Sequence, residues 1–490
     1  MTRLDETRAE SATLRGGALS LSAATLVGLG YCAIAVSAYA ILPYAVAEAG
    51  GGGAFWGVIL TTLALVPTAV CIYLMSSRRP SAGGSFTWIS EGLGRWTGGT
   101  VGFVIVGFVG PLTALLQPAV GGQTINALLD LLGIHTSFWT GFIGAVVTVV
   151  ICLLLVVNNV TLSTKAVAWL FGSEAVFMVL FFAFVIIKQS IAGVWLNPFS
   201  PSAFTSGTGF TSALVFVVFA VAVVDVPVSM AEETNEPHKN IPKMTALILG
   251  LVGLISLFST YALSVAASPE VMEKDIANAN EVGPVYLIAD QFIGWGKIGV
   301  IITTYTSVMA LFVATILFAG RFTHAMAREG MAPRWLGKIH PKTGTPRNAQ
   351  VIFTVLGPVV VLLVGIWQGN SLANAYAWGG GIFSGLVLFT YTLINIGAIG
   401  FFLRRRALGE KYKVSLHLVV PLIGAAVSFW FLWNSFIVNY LKTGSDFATS
   451  GSIVLAVGIW LAIGAVYAGM NLAKRPKPAS RSSDSSSRAS

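Results

Sequence analysis

The sequence predicts an all-α integral membrane protein, and three observations carry that expectation. Hydrophobic residues make up 55% of the 490 positions and charged residues only 10%, against about 25% charged in ordinary soluble chains. Apolar runs long enough to cross a bilayer recur from one end to the other. The lysines and arginines fall between those runs, with a strong bias to alternate gaps. A soluble chain of this length would divide into about three domains, and so few charges would not cover their surfaces. Most of the surface is therefore expected to face lipid.

The spans follow from length. A hydrocarbon core about 30 Å thick takes about 20 apolar residues of helix. Twelve runs satisfy this: 20–47, 54–76, 98–129, 138–157, 165–187, 209–231, 244–267, 297–320, 350–367, 377–402, 415–440 and 451–471. Runs this long satisfy their backbone hydrogen bonds in lipid only as helices, and the period-two alternation of barrel strands is absent. Residues 1–18 are polar, with Arg3, Arg8 and Arg15, and the run behind them is too long for a signal h-region, so it reads as a retained first span. The Ser-rich segment 472–490 reads as a disordered tail.

Charge orients the spans. With the N-terminus inside, 25 of the 29 lysines and arginines lie in inside segments and four, Lys188, Lys274, Lys297 and Lys442, lie outside. Positive charge is retained on the cytoplasmic side, so an even number of spans and two cytoplasmic termini are expected. The net charge of +9 thus reflects topology and not a nucleic-acid surface. Cys32, Cys71 and Cys152 all sit in apolar runs and read as small core thiols rather than a disulfide set. The five histidines have no ligand spacing, so no metal site is expected. No phosphate-binding glycine loop is present, so no cofactor or ATP is implied.

Candidate functional residues lie where the spans break their own rules, because an interrupted helix frees amides and carbonyls at the membrane midplane. In the first span Ala35-Val36-Ser37-Ala38 precedes Pro43, which lacks an N–H and crowds the preceding turn. The helix is expected to weaken just after the small residues, although these also suit close helix packing. The sixth span carries Asp225 two residues before Pro227, which cannot donate to the carbonyl of Val223. An acid at that depth faces a cavity or a partner. Glu174, midway along the fifth span, is the other deep acid and a candidate for proton coupling. The tenth span opens on Trp378-Gly379-Gly380-Gly381 and reads as small-residue packing.

Three segments between spans then identify a resemblance. Arg79-Pro80-Ser81-Ala82-Gly83-Gly84-Ser85-Phe86-Thr87-Trp88 follows the second span, and Ala231-Glu232-Glu233-Thr234-Asn235-Glu236-Pro237-His238-Lys239-Asn240-Ile241-Pro242 follows the sixth. Gly320-Arg321-Phe322-Thr323-His324-Ala325-Met326-Ala327-Arg328-Glu329-Gly330-Met331-Ala332-Pro333 follows the eighth. In order and spacing they resemble the amino acid–polyamine–organocation transporters over nearly the whole chain. The resemblance implies a LeuT-like arrangement of two inverted five-helix repeats, about 20–187 and 209–402, with helices 11 and 12 (about 415–471) outside them. It also implies a substrate site between the broken first and sixth spans.

Carried over position by position, the family's first-span motif falls on Val36 to Pro43 and its sixth-span motif on Val223-Val224-Asp225. The resemblance thus implies substrate contacts from Val36, Ser37, Ala38, Tyr39, Val223, Val224 and Asp225, with Glu174 as the proton-responsive group. Both first-span glycines are replaced, by Val36 and Ala38, and Val223 replaces the sixth-span glycine. Glycine permits unwinding and close approach, so these changes point to a smaller substrate or to an amine without a carboxylate. The implied activity is secondary transport of an amino acid or related amine across the cell membrane by alternating access. Proton symport and substrate exchange both remain open. The partners implied are that small molecule, a proton or counter-substrate, and lipid. A transporter-like sensor would carry an added signalling domain, for which both tails read as too short, and no nucleophile–base pair suggests an enzyme.

Overall fold

In the computed structural model of the chain, residues 20–473 are described apart from 31, 82, 110, 159, 206, 223–224, 226–227, 229, 232–233, 279–284, 342–343 and 439–450. Among the described residues the regular elements are all helices. The first, α1 (Leu21–Gly30), ends just before Ala33, whose backbone is left-handed (φ 37°, ψ 58°). Helix resumes as α2 (Ile34–Val36), widens into a π turn over Ser37–Ile41, and continues as α3 (Leu42–Arg78).

Pro43 accounts for the wide turn. It sits in the first turn of α3, and the N–H of Leu42 reaches back to the carbonyl of Ser37, which moves the preceding carbonyls away from the proline ring. The expected weakening after residues 35–38 is therefore a change of pitch and not the break. The break itself lies earlier, at Cys32–Ala33, which corrects the sequence-based placement. Val36 and Ser37 are fully helical (φ −60°, ψ −43° and φ −59°, ψ −46°), as expected once side chains replace glycine.

Within α3 the chain kinks at Gly50 (φ 72°, ψ 166°). A Cβ there would lie 2.6 Å from the carbonyl oxygen of Ala203, so only glycine fits both the dihedrals and the space. The N–H of Thr205 closes the kink onto the carbonyl of Ala49 at 3.1 Å.

The remaining helices are α4 (Gly84–Leu93), α5 (Arg95–Val109), α6 (Pro111–Leu131), α7 (Phe138–Asn158), α8 (Val160–Ile191), α9 (Gly207–Val221) and α10 (Pro237–Ala266). They are followed by α11 (Pro269–Asn278), α12 (Val285–Phe292), α13 (Gly296–Arg328), α14 (Arg347–Trp367), α15 (Leu372–Ala407), α16 (Val420–Leu432) and α17 (Ser452–Ala473). Among the described residues nine helices are long and apolar enough to cross a membrane. Three places separate these nine from the twelve apolar runs. The first two runs form one stretch through the Gly50 kink, the third is described as α5 and α6 on either side of residue 110, which lies outside the described residues, and α9 ends early at Val221.

Packing places α3 along α9 and α10, α13 against α6 and α8, and α15 against α4 and α6. The α4 and α15 backbones touch: a Cβ on Gly92 would overlap the carbonyl of Gly397, and one on Gly400 the carbonyl of Gly92. Large apolar side chains such as Leu154, Leu180, Leu254 and Leu363 project outward, exposed. A surface this apolar is at home only in lipid, and the chain is an integral membrane protein.

Candidate functional site

The break at Cys32–Ala33 leaves backbone groups that need partners from elsewhere in the fold. Two side chains supply them on the amide side. The carboxyl of Glu174, on α8 and 1% exposed, accepts from the N–H of Ala35 at 2.7 Å through Oε1. The hydroxyl of Ser307, on α13, donates to the same oxygen at 2.9 Å and lies 3.5 Å from the N–H of Val36. Glu174 Oε2 is buried with no hydrogen-bond partner. On the carbonyl side, Ser37 donates its hydroxyl to the carbonyl of Cys32 at 3.1 Å. The N–H of Ser37 reaches the carbonyl of left-handed Ala33 at 2.8 Å, so the turn closes on itself.

Beside this break lies a cavity with about 670 Å³ of space not occupied by atoms, part of it open to solvent. Cys32, Ala33, Val36, Ser37 and Ile41 form the wall on the broken first span. Helix α6 contributes Leu116, Gln117 and Val120, and α13 contributes Val308, Leu311, Thr315 and Phe318. Phe219 of α9 and Tyr376 and Phe383 of α15 make an aromatic end, with ring centroids 5.9 Å apart for Phe219–Tyr376 and 5.5 Å for Phe219–Phe383. Among the described residues no charged side chain lines the cavity.

The residues singled out from sequence are distributed unevenly around it. Val36 and Ser37 line the cavity. Ala38 is buried in the main core, and Tyr39 packs edge-on against Phe181 and Phe182. Val223 and Val224 lie outside the described residues. Glu174 sits behind the break, holding its amide, and is not a lining residue.

Asp225 is brought to a separate cluster. Its Oδ1 lies 3.1 Å from the hydroxyl of Tyr391 on α15, and its Oδ2 accepts from the hydroxyl of Ser85 on α4 at 3.2 Å. The same tyrosine hydroxyl lies 2.9 Å from the carbonyl of Ala222, just past the end of α9. Among the described residues one hydroxyl hydrogen thus has two acceptors in reach. Ser85 belongs to the segment following the second span, so this motif meets the interrupted sixth span directly.

The other two motifs act structurally. The left-handed Glu236 (φ 43°) starts α10, where Asn240 donates to the carbonyl of Asn235 at 2.7 Å. Nδ1 of His324 lies 2.7 Å from the carbonyl of Gly337, and Glu329 pairs with Arg95 at 3.7 Å. Sequence reasoning did not single out Ser307, Gln117 or Tyr391. A lone hydroxyl or amide in an apolar run is a weak signal. The one cue was Gln117 standing next to a mid-helix proline, Pro118.

Residues 25–480 match the amino acid permease family. The chain is 26% identical to the vacuolar cationic amino acid transporter 8 of Arabidopsis thaliana over 74% of its own length and 60% of the plant protein, so it spans less than two thirds of that relative. It is 25% identical to the methylthioribose transporter of Bacillus subtilis (strain 168) over 90% of each chain. It is also 25% identical to the low-affinity putrescine importer PlaP of Escherichia coli (strain K12), over 83% of each. With a match running through the broken first span, the cavity and the last helix, the chain belongs to the amino acid permease family.

Proposed function

We propose that this permease is a secondary transporter of an amino acid or related organic amine. It works by alternating access, with twelve spans in two inverted repeats and both termini in the cytoplasm. Three features support that architecture: the charge bias between runs, the break in the first span, and the early end of α9 where the sixth span was expected to break. The relatives are named for cationic amino acids, methylthioribose and putrescine, which brackets the chemistry such a site accommodates.

Glu174 is the proton-responsive group in this reading. One observation carries it: a single buried carboxyl ties the freed amide of Ala35 to the Ser307 hydroxyl of α13 and keeps one oxygen without a partner. That oxygen has room for a proton and no donor competing for it. Gain or loss of the proton changes the charge held against the break, and so biases how the two helices meet. The test is uptake into liposomes with and without a pH gradient. Glu174→Gln keeps the shape and removes the titration, so uptake is expected to lose its dependence on pH. Unchanged pH dependence in the variant refutes the assignment. Loading the same liposomes with substrate separates exchange from symport, since exchange is stimulated with no gradient.

A further inference from the structure

The walls of the cavity narrow what it takes, provided the transport reading above holds. A half-helix starting at a break in the membrane is the usual receptor for an anionic group, because its first amides point outward unpaired. Here those amides are used. Ala35 N–H is on Glu174, Val36 N–H faces Ser307, and Ser37 N–H is bonded to Ala33. Beyond them the helical dihedrals of Val36 and Ser37 and the π turn over Ser37–Ile41 keep the amides in the helix. The chain's own carboxylate occupies the place that a ligand carboxylate would take. Among the described residues the lining offers no lysine, arginine or histidine to replace those donors.

What the wall does offer is an acceptor. Gln117 is 2% exposed, lines the cavity, and its Oε1 has no hydrogen-bond partner. A buried acceptor left unmade is corrected by a ligand that donates. Phe219, Tyr376 and Phe383 line the cavity with aromatic rings, which suit an apolar body and tolerate a nearby cation.

We infer that the ligand is an organic amine without a carboxylate, whose N–H donates to Gln117 Oε1 and whose apolar part packs on Phe219, Tyr376 and Phe383. The zwitterionic amino acid with the same side chain is rejected. Its carboxylate finds an uncharged wall and no free amides, those of the break being turned to Glu174, Ser307 and Ala33.

The test uses the purified full chain and matched pairs, phenethylamine against phenylalanine and isoamylamine against leucine, read by thermal shift and calorimetry. Each amine is expected to raise the melting temperature and to bind at least about tenfold more tightly than its amino acid, the scale set by one unmatched buried polar group. Gln117→Leu is expected to weaken amine binding about tenfold by removing the acceptor. Gln117→Glu, which keeps an acceptor and loses the amide N–H donors, is expected to hold the amine at least as well. An amino acid binding as tightly as its amine overturns the inference, as does loss of amine binding in Gln117→Glu. Uptake of amino acids with no amine binding overturns it while leaving transport standing. If neither class binds nor enters liposomes, the transport reading falls as well.

Discussion

Removing one oxygen from the protein, by Tyr391→Phe, tests how the interrupted sixth span is held. The tyrosine is 1% exposed, and so is Ala222, whose carbonyl lies 2.9 Å from its hydroxyl. The ring itself stays packed in the variant, so no cavity opens. Two terms remain. A buried carbonyl loses its donor, at about 1–3 kcal/mol, and Asp225 loses a contact worth about 1.5–3 kcal/mol if the hydrogen serves a charged group. One hydrogen serves one acceptor at a time, so the terms do not add, and about 1.5–3 kcal/mol is expected. That is about a 10- to 150-fold shift in the folded-to-unfolded ratio. Chemical unfolding in mixed micelles reads the loss, and a cycle with Asp225→Ala assigns it. A coupling above about 0.5 kcal/mol places the hydrogen on Asp225, and a smaller one places it on Ala222. If Tyr391→Phe stays within about 0.5 kcal/mol of the parent, the hydroxyl does not hold this break and the reasoning fails.

Other substitutions test the backbone. Gly50→Ala forces a side chain into φ 72°, ψ 166° and against the carbonyl of Ala203; a cost of about 2–4 kcal/mol is expected, seen as loss of the monodisperse peak on size exclusion in detergent. Ala33→Gly relieves a left-handed alanine (φ 37°) worth about 1–2 kcal/mol, partly offset by the greater freedom of unfolded glycine. Its melting temperature should therefore hold or rise slightly, while Ala33→Val should melt lower. A lower value for the glycine variant contradicts the strain argument. Gly400→Val drives a branched side chain into Gly92 where α4 and α15 touch. It should cost about 3 kcal/mol or more, with Gly400→Ala intermediate, and equal melting temperatures for all three chains would show that the helices separate freely.

The helices were legible in sequence because lipid leaves a chain of apolar runs no other regular form; the runs find their helices at α7, α8, α10 and α13 to α17, while α9 stops short of its run and α11 and α12 had none. The interruptions were legible only in part. Pro43 acts locally, and its effect appears as the π turn directly before it. The break at Cys32–Ala33 contains neither glycine nor proline. It is held by Glu174, which lies 139 residues from Ala35, and by Ser307, 271 residues from Val36. No local pattern reports such a contact. Glu174 drew attention because a deep acid is rare. Its service to the first-span amide became visible only with the fold. Asp225 drew attention for the same reason, yet its described neighbours are Ser85 and Tyr391 and not the cavity. Gln117, on the cavity wall, was passed over because an uncharged amide costs an apolar run little.

The kink at Gly50 has a mechanical consequence. It joins residues 34–49 to 51–78 without a connecting loop, and a single residue offers only two soft torsions. A longer connection would absorb the rotation of one helix before the next felt it. Here there is no slack, and Thr205 clamps the joint from the side. A rotation of residues 34–49 would therefore reach 51–78 with no loop between to absorb it. The stretch is thus an elbow with a single joint, while α1 is packed against α8 and α10.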